Sequence, residues 1–177
     1  MVDKIKKWKL VKSEKILDEY MSIAKRRYLL PSGKEKDFYI DLHGKSVIVL
    51  PITKDNQIVL VRQYRPGPDE ILTELPAGRV EKGEDVLEAA ERELLEETGY
   101  KGEAKFIVKA PTGAYSTKWR HTVLVTNCEK ISDQKTDDSE FIEVVLMSMD
   151  ELRGHVRTGK LTSPESVYLG LDYLGLL

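Results

Sequence analysis

A mixed α+β domain is what this sequence predicts, and three observations predict it. Val-, Ile- and Leu-rich runs of strand length recur along the chain, as SVIVLPIT (46–53), QIVLVRQYR (57–65), HTVLVTNCE (121–129) and FIEVVLMSM (141–149). One central segment, 85–98, has helical periodicity and a stop signal at each end. Two further helical segments close the chain, so the order is not a regular βαβ succession.

In order along the chain, residues 1–45 are polar, with WKLV, YMSIAKRRYLL and DFYIDLHG as candidate strands. Pro31-Ser32-Gly33 stands where a turn belongs. The runs 46–53 and 57–65 are joined by KDN, a hairpin signal. RPGPDE (65–70) reads as loop, and ILTELPAG (71–78) as one short strand that stops at Pro76 and Gly78. Asp85 suits the cap of the central helix and Gly99 its C-terminal stop. Strands near 105–110, 121–129 and 141–149 follow, then helices from Asp150 to about Thr158 and from Pro164 to about Leu174.

The bulk properties bound the function. A chain of 177 residues suits one domain with a small appendage, and such a domain buries roughly two-thirds of its unfolded surface. With 41% hydrophobic and 33% charged residues the balance is that of an ordinary soluble protein. A formal charge of -2 and the lack of a basic, aromatic-rich stripe argue against nucleic acid as partner. Cys128 is the single cysteine, which excludes an intrachain disulfide and a cysteine-based metal site; it reads as a small buried hydrophobe. No run reaches the roughly 20 apolar residues of a membrane span, and the basic N-terminus has no apolar core for a signal peptide, so a cytoplasmic protein is expected.

Chemistry concentrates in GRVEKGEDVLEAAERELLEETGY, residues 78–100. At about 100° per residue, Leu87, Ala90, Leu94 and Thr98 share the face that should pack on a sheet. Glu93, Glu96 and Glu97 share another flank, Arg92 sits one turn before Glu96, and Glu84 adjoins the first turn. A solvated acidic face is the plain alternative, but two of these acids lie near the helix C-terminus, where the dipole disfavours negative charge by about 0.3–1 kcal/mol each. Gly78 and Gly83 in the preceding loop would let backbone approach a ligand closely. A divalent cation, Mg²⁺ or Mn²⁺, would compensate the repulsion and commonly sits against phosphates.

Gly78, Glu84 and Arg92-Glu93-Leu94-Leu95-Glu96-Glu97-Thr98-Gly99-Tyr100, at this spacing, resemble the complete Nudix box. The resemblance implies an α/β/α sandwich around a mixed β-sheet and hydrolysis of a nucleoside diphosphate linked to another group. By position, Glu93 and Glu97 resemble the metal carboxylates, with the Ala77 carbonyl as a further ligand. Glu96 resembles an additional ligand or water-orienting acid, Arg92 the residue that positions these acids, and Glu84 its partner.

The surroundings, RQYR at 62–65, ELPAGRVEKGE at 74–84, the segment from Asp138 to Ser166 and the N-terminal extension, look like the ADP-ribose pyrophosphatase and nucleoside-diphosphate-sugar branch. That likeness implies diphosphate contact by Arg65, a substrate-site role for Glu74 and a phosphate-facing Arg62; bidentate guanidinium chemistry suits phosphate. It also implies a division into a 1–45 β extension that forms a homodimer and a 46–177 catalytic domain. Arg26, Arg27 and Tyr28 would then reach the partner's site, or else form a basic edge strand that discourages aggregation. One departure stands out: APTGAYSTKWRH (110–121) has no carboxylate where the branch often carries one. Either a box glutamate activates water, or Asp137, Asp138 or Glu140 does. His43, His121 and His155 lack metal-ligand spacing and read as structural or surface residues, and Trp8 and Trp119 as packing residues. The expected activity is hydrolysis of ADP-ribose to AMP and ribose 5-phosphate. The alternatives are other nucleoside-diphosphate sugars such as GDP-mannose, or a non-catalytic module that binds ADP-ribose-like ligands.

Overall fold

The computed structural model describes residues 5–136 and 141–177. The chain divides into two compact units, one made of the residues up to Gly44 with Pro111–Trp119, the other of Lys45–Ala110 with Arg120–Leu177. Pro111–Trp119 thus clusters with the N-terminal strands, although by sequence position it falls within 46–177.

The first unit is an antiparallel sheet of β1 (Lys9–Asp18), β2 (Ser22–Leu29) and β3 (Glu35–Asp41) in that order. β1 runs well beyond the WKLV expected for it, and all ten of its residues are exposed. Irregularities between Leu10 and Lys12 and between Lys15 and Leu17 twist this edge, as bulges do. The Pro31–Gly33 turn closes β2 onto β3, with Gly33 at φ 79° donating its N–H to the Leu30 carbonyl. Asp41 holds the 115–117 segment: its N–H donates to the Tyr115 carbonyl (2.9 Å), and its side chain accepts from Ser116 Oγ (2.9 Å).

The second unit is built on β4 (Lys45–Thr53), β5 (Gln57–Arg65), β6 (Glu70–Glu74), β7 (Ala77–Arg79), β8 (Tyr100–Pro111), β9 (Trp119–Lys130) and β10 (Glu143–Ser148). Their order is β10-β5-β4-β9-β8, with β6 on β5 and β7 on β4. Helices α1 (Val86–Thr98), α2 (Met149–Val156) and α3 (Pro164–Tyr173) cover both faces. Side chains alternate across a strand, so Val47 and Val49 of β4 pack with Ala90 and Leu94 under α1. Ile48, Leu50 and Ile52 pack with Leu152 and Leu171 under α2 and α3. This explains why 46–53 reads as one unbroken apolar run: neither face meets water. Leu94→Ala should therefore lower stability by about 2–5 kcal/mol, checked by urea unfolding, because Leu94 is fully buried in this layer.

The single strand expected at 71–78 is two. Pro76 lacks an N–H and breaks the run, while its carbonyl accepts from the Val49 N–H (2.9 Å). β4 and β5 pair at Ile52↔Ile58 beside their turn; farther along, β5 pairs with β6 (Val61↔Glu74) and β4 with β7 (Ile48↔Ala77). The 70–79 segment therefore wedges between the two strands and carries Glu74 and Ala77 with it.

Local signals set α1. Asp85 accepts from the Leu87 N–H (2.8 Å), Glu88 completes a capping box, and Gly99 ends the helix in the left-handed conformation at φ 76°. Ser148 and Glu151 form the same box on α2.

Candidate active site

Arg92 is the hub of the acidic flank of α1. Its Nε donates to Glu84 Oε1 (2.8 Å), and Nη2 donates to Glu84 Oε2 (3.1 Å) and to the Arg79 carbonyl (3.0 Å). Nη1 donates to Glu93 Oε1 (2.9 Å) and Glu96 Oε2 (3.1 Å). Three carboxylates on one half-buried guanidinium raise its pKa beyond the ordinary arginine value, the hydrogen bond it donates to Glu84 contributing most. The same bond holds the Glu84 carboxyl below its usual value. A depressed folded-state pKa means that the pair's stabilisation is complete above about pH 4.5 and is lost as pH falls through the lowered value. Glu84→Gln should accordingly flatten the acid limb of the stability–pH curve, seen as a smaller loss of Tm below pH 4.5 than in the wild type.

The plain alternative, a uniformly solvated acidic flank, does not hold. Glu97 belongs to the buried side of the helix, and its Oε2 accepts from the Ala77 N–H (3.3 Å). Glu93 lies directly over Gly78, where a Cβ would occupy the space of its carboxylate. Gly78 is thus required for close approach, not for an unusual φ. Among the described residues no three acids or histidines converge into a ready-made cage, since Arg92 gathers Glu84, Glu93 and Glu96 while Glu97 faces Ala77. The donor set around Gly78 is nevertheless all oxygen, which fits a hard divalent cation.

Beside it, Arg65 grips Glu74 with a two-pronged bond, Nε to Oε1 and Nη2 to Oε2, both 2.6 Å. Glu74 is buried, while the Arg65 side chain remains accessible. Arg62 instead pairs with Glu143 of β10 (3.2 Å) on the surface, an arrangement of little energetic weight. In the first unit, Arg27 forks onto Asp37 (2.7 and 3.0 Å). Tyr28 packs edge-on against Trp8 (6.3 Å) and Phe38 (6.0 Å). His43 pairs with Asp41, His121 is buried with Nδ1 near the Ser46 carbonyl (3.1 Å), and burial pushes the Cys128 thiol up to about 11. Asp137, Asp138 and Glu140 lie outside the described residues.

Sequence reading missed Gln134 and the Arg79 carbonyl. Gln134 falls in no motif and Arg79 stands at an unspecified position between Gly78 and Glu84, so only the folded chain brings them to α1.

Fold and site together define a pyrophosphohydrolase, in a class that generally works with divalent metal ions. The NUDIX domain matches residues 42–167, and the chain belongs to that family. It is 32% identical over 150 residues to a methanol dehydrogenase activator of Bacillus methanolicus, covering 83% of this chain and 80% of that one. It is 29% identical over 167 residues to an ADP-ribose pyrophosphatase of Bacillus subtilis (strain 168), covering 93% and 88%. A crystal structure of ADP compounds hydrolase superposes with a TM-score of 0.81 over 99% of this chain and all of that one, at 19% identity, which bears on the fold alone.

Proposed function

We propose that this chain hydrolyses ADP-ribose to AMP and ribose 5-phosphate. The observation that carries the reading is the carboxylate array organised by Arg92 over Gly78. Similarity across 93% of the chain to a protein named ADP-ribose pyrophosphatase supports the substrate. Glu93, Glu96, Glu97 and the Ala77 carbonyl would hold Mg²⁺, or Mn²⁺ in its place. A bound cation supplies neutralisation of phosphate charge and a lowered pKa for the attacking water.

The residues of the chain then divide the remaining work. Arg92 and Glu84 keep the acids in register, and a box carboxylate accepts the proton of the water as its oxygen bonds to one phosphorus. The bridging P–O bond breaks, and its electron pair leaves with the other phosphate. Arg65 exchanges part of its contact with Glu74 for diphosphate oxygens, a role its accessible fork suits. Arg62 adds to the substrate contacts, and Arg27 and Tyr28 reach the site of a second copy of the chain, the tyrosine to stack on the base.

A homodimer through residues 1–45, with 46–177 as catalytic domain, belongs to the same reading. Its support is β1, a ten-residue strand exposed throughout that carries Leu10, Val11, Ile16 and Leu17. Such an edge is a template for pairing with another chain. No helix among the described residues is long and apolar enough to cross a membrane, and the composition suits the cytoplasm.

Product analysis with Mg²⁺ and a panel of nucleoside diphosphate derivatives tests the proposal. AMP and ribose 5-phosphate released fastest from ADP-ribose is the expected result. Faster cleavage of GDP-mannose or another hexose conjugate would overturn the substrate while keeping the chemistry. Binding without turnover of any diphosphate would leave a ligand-binding module.

A further inference from the structure

We propose that Gln134 is a positioning residue for the acids of α1, acting through the backbone of the helix's last turn. This rests on the reading of Glu93, Glu96 and Glu97 as metal ligands. An α-helix leaves its last carbonyls without intrahelical partners, and the negative end of its dipole lies there. In α1 that end carries Glu96 and Glu97 and has no basic residue in its last turn. Two anionic side chains therefore stand where a helix tolerates them least.

The segment that follows β9 supplies the compensation. Ile131 and Ser132 donate their N–H groups to the Gly99 carbonyl (2.9 and 3.3 Å), and the Lys135 N–H donates to the Glu96 carbonyl (2.8 Å). Gln134 Nε2 donates to the Glu97 carbonyl (2.6 Å) and to the Ile142 carbonyl (3.3 Å). One amide thus ties the backbone of Glu97 to the start of the segment that leads into β10. The carbonyls of Glu96 and Glu97, the two acids at this end of the helix, are both held by adjacent residues, 134 and 135.

The fit at this end is tight. A Cβ on Gly99 would enter the Ser132 carbonyl, a backbone atom that cannot swing aside, and Gly99 also needs its φ of 76°. Thr98 Oγ1 donates to the Leu94 carbonyl (2.5 Å) and accepts from the Tyr100 N–H (3.1 Å), which fixes the same turn from the other side. Gln134 is the only side chain among these donors to the Glu96, Glu97 and Gly99 carbonyls, so it is the one that substitution can remove.

The test compares Gln134→Met, which keeps length and removes the donors, with Gln134→Lys, which retains donors and adds a charge the helix end favours. Mn²⁺ is the probe, titrated directly by calorimetry and by the electron paramagnetic resonance of the free ion. kcat and KM for ADP-ribose and the Tm are measured on the same samples. Gln134→Met should weaken Mn²⁺ binding and lower kcat by about 10-fold or more, with little change in KM. Gln134→Lys should restore most of both. Wild-type Mn²⁺ affinity and kcat in Gln134→Met, whatever its Tm, would make Gln134 a merely structural tie and overturn the inference. So would equal damage in the two variants. If the wild type bound Mn²⁺ but left ADP-ribose uncut, the hydrolase reading would fall, while the Mn²⁺ comparison would still decide the role of Gln134.

Discussion

Glu97→Gln is expected to lower kcat with ADP-ribose and Mg²⁺ by at least about a hundredfold, the scale on which removing one charge-stabilising group from a site acts. The change is nearly isosteric. A glutamine oxygen can still accept from the Ala77 N–H, which lies 3.3 Å from Glu97 Oε2, so the joint between α1 and β7 has no reason to open. What disappears is the negative charge the carboxyl can carry, at a side chain only 7% exposed. Burying a carboxylate is costly unless something positive repays it, and in the proposed reading the bound cation is one such group. The same reasoning predicts that Glu97→Gln holds or raises the Tm of the metal-free protein, because exchanging a functional acid for a neutral side chain commonly trades activity for stability. Steady-state kinetics and a melt in chelator check both halves. A variant within tenfold of wild type would remove Glu97 from the metal set.

Gly78→Ala should lower activity by about 10- to 100-fold and shift half-activation to higher metal concentration, an effect of the size seen when the shell around a metal ligand is disturbed. Gly78 pairs with Val47 in β7 without a positive φ, so alanine suits its backbone and the strand should persist. The new methyl would stand where the Glu93 carboxylate now lies. Glu93 would then have to leave both its place over β7 and its 2.9 Å bond from Arg92 Nη1. Because both substitutions act through one carboxylate, Gly78→Ala combined with Glu93→Gln should cost little more than Glu93→Gln alone. Additive losses would show that Gly78 acts by another route.

Much of this site was legible in one dimension because its signals are local. The cap at Asp85, the stop at Gly99 and the i,i+4 relation of Arg92 to Glu96 all lie within a turn or two of helix. The spacing from Gly78 to Tyr100 resembles the Nudix box strongly enough to announce the family, and the NUDIX match over 42–167 bears that out. Strand runs such as 46–53 were equally plain, since burial on both faces writes an unbroken apolar word. The break at Pro76 was visible as a stop, but the return of the chain as β7 on a different neighbour was not.

The sequence by itself determined which residues could carry the chemistry: the acids of α1, their arginine, and the glycine that permits close approach. Helical periodicity and residue size decide those matters, and both are properties of short segments. Only the tertiary structure decided what each group meets. It buried Glu97 against Ala77, set the Arg65 fork on Glu74, turned Arg62 aside to Glu143, and brought Gln134 onto a carbonyl 37 residues away. Hydrogen bonds across such separations depend on how sheet and helix pack, and no local pattern encodes the partner.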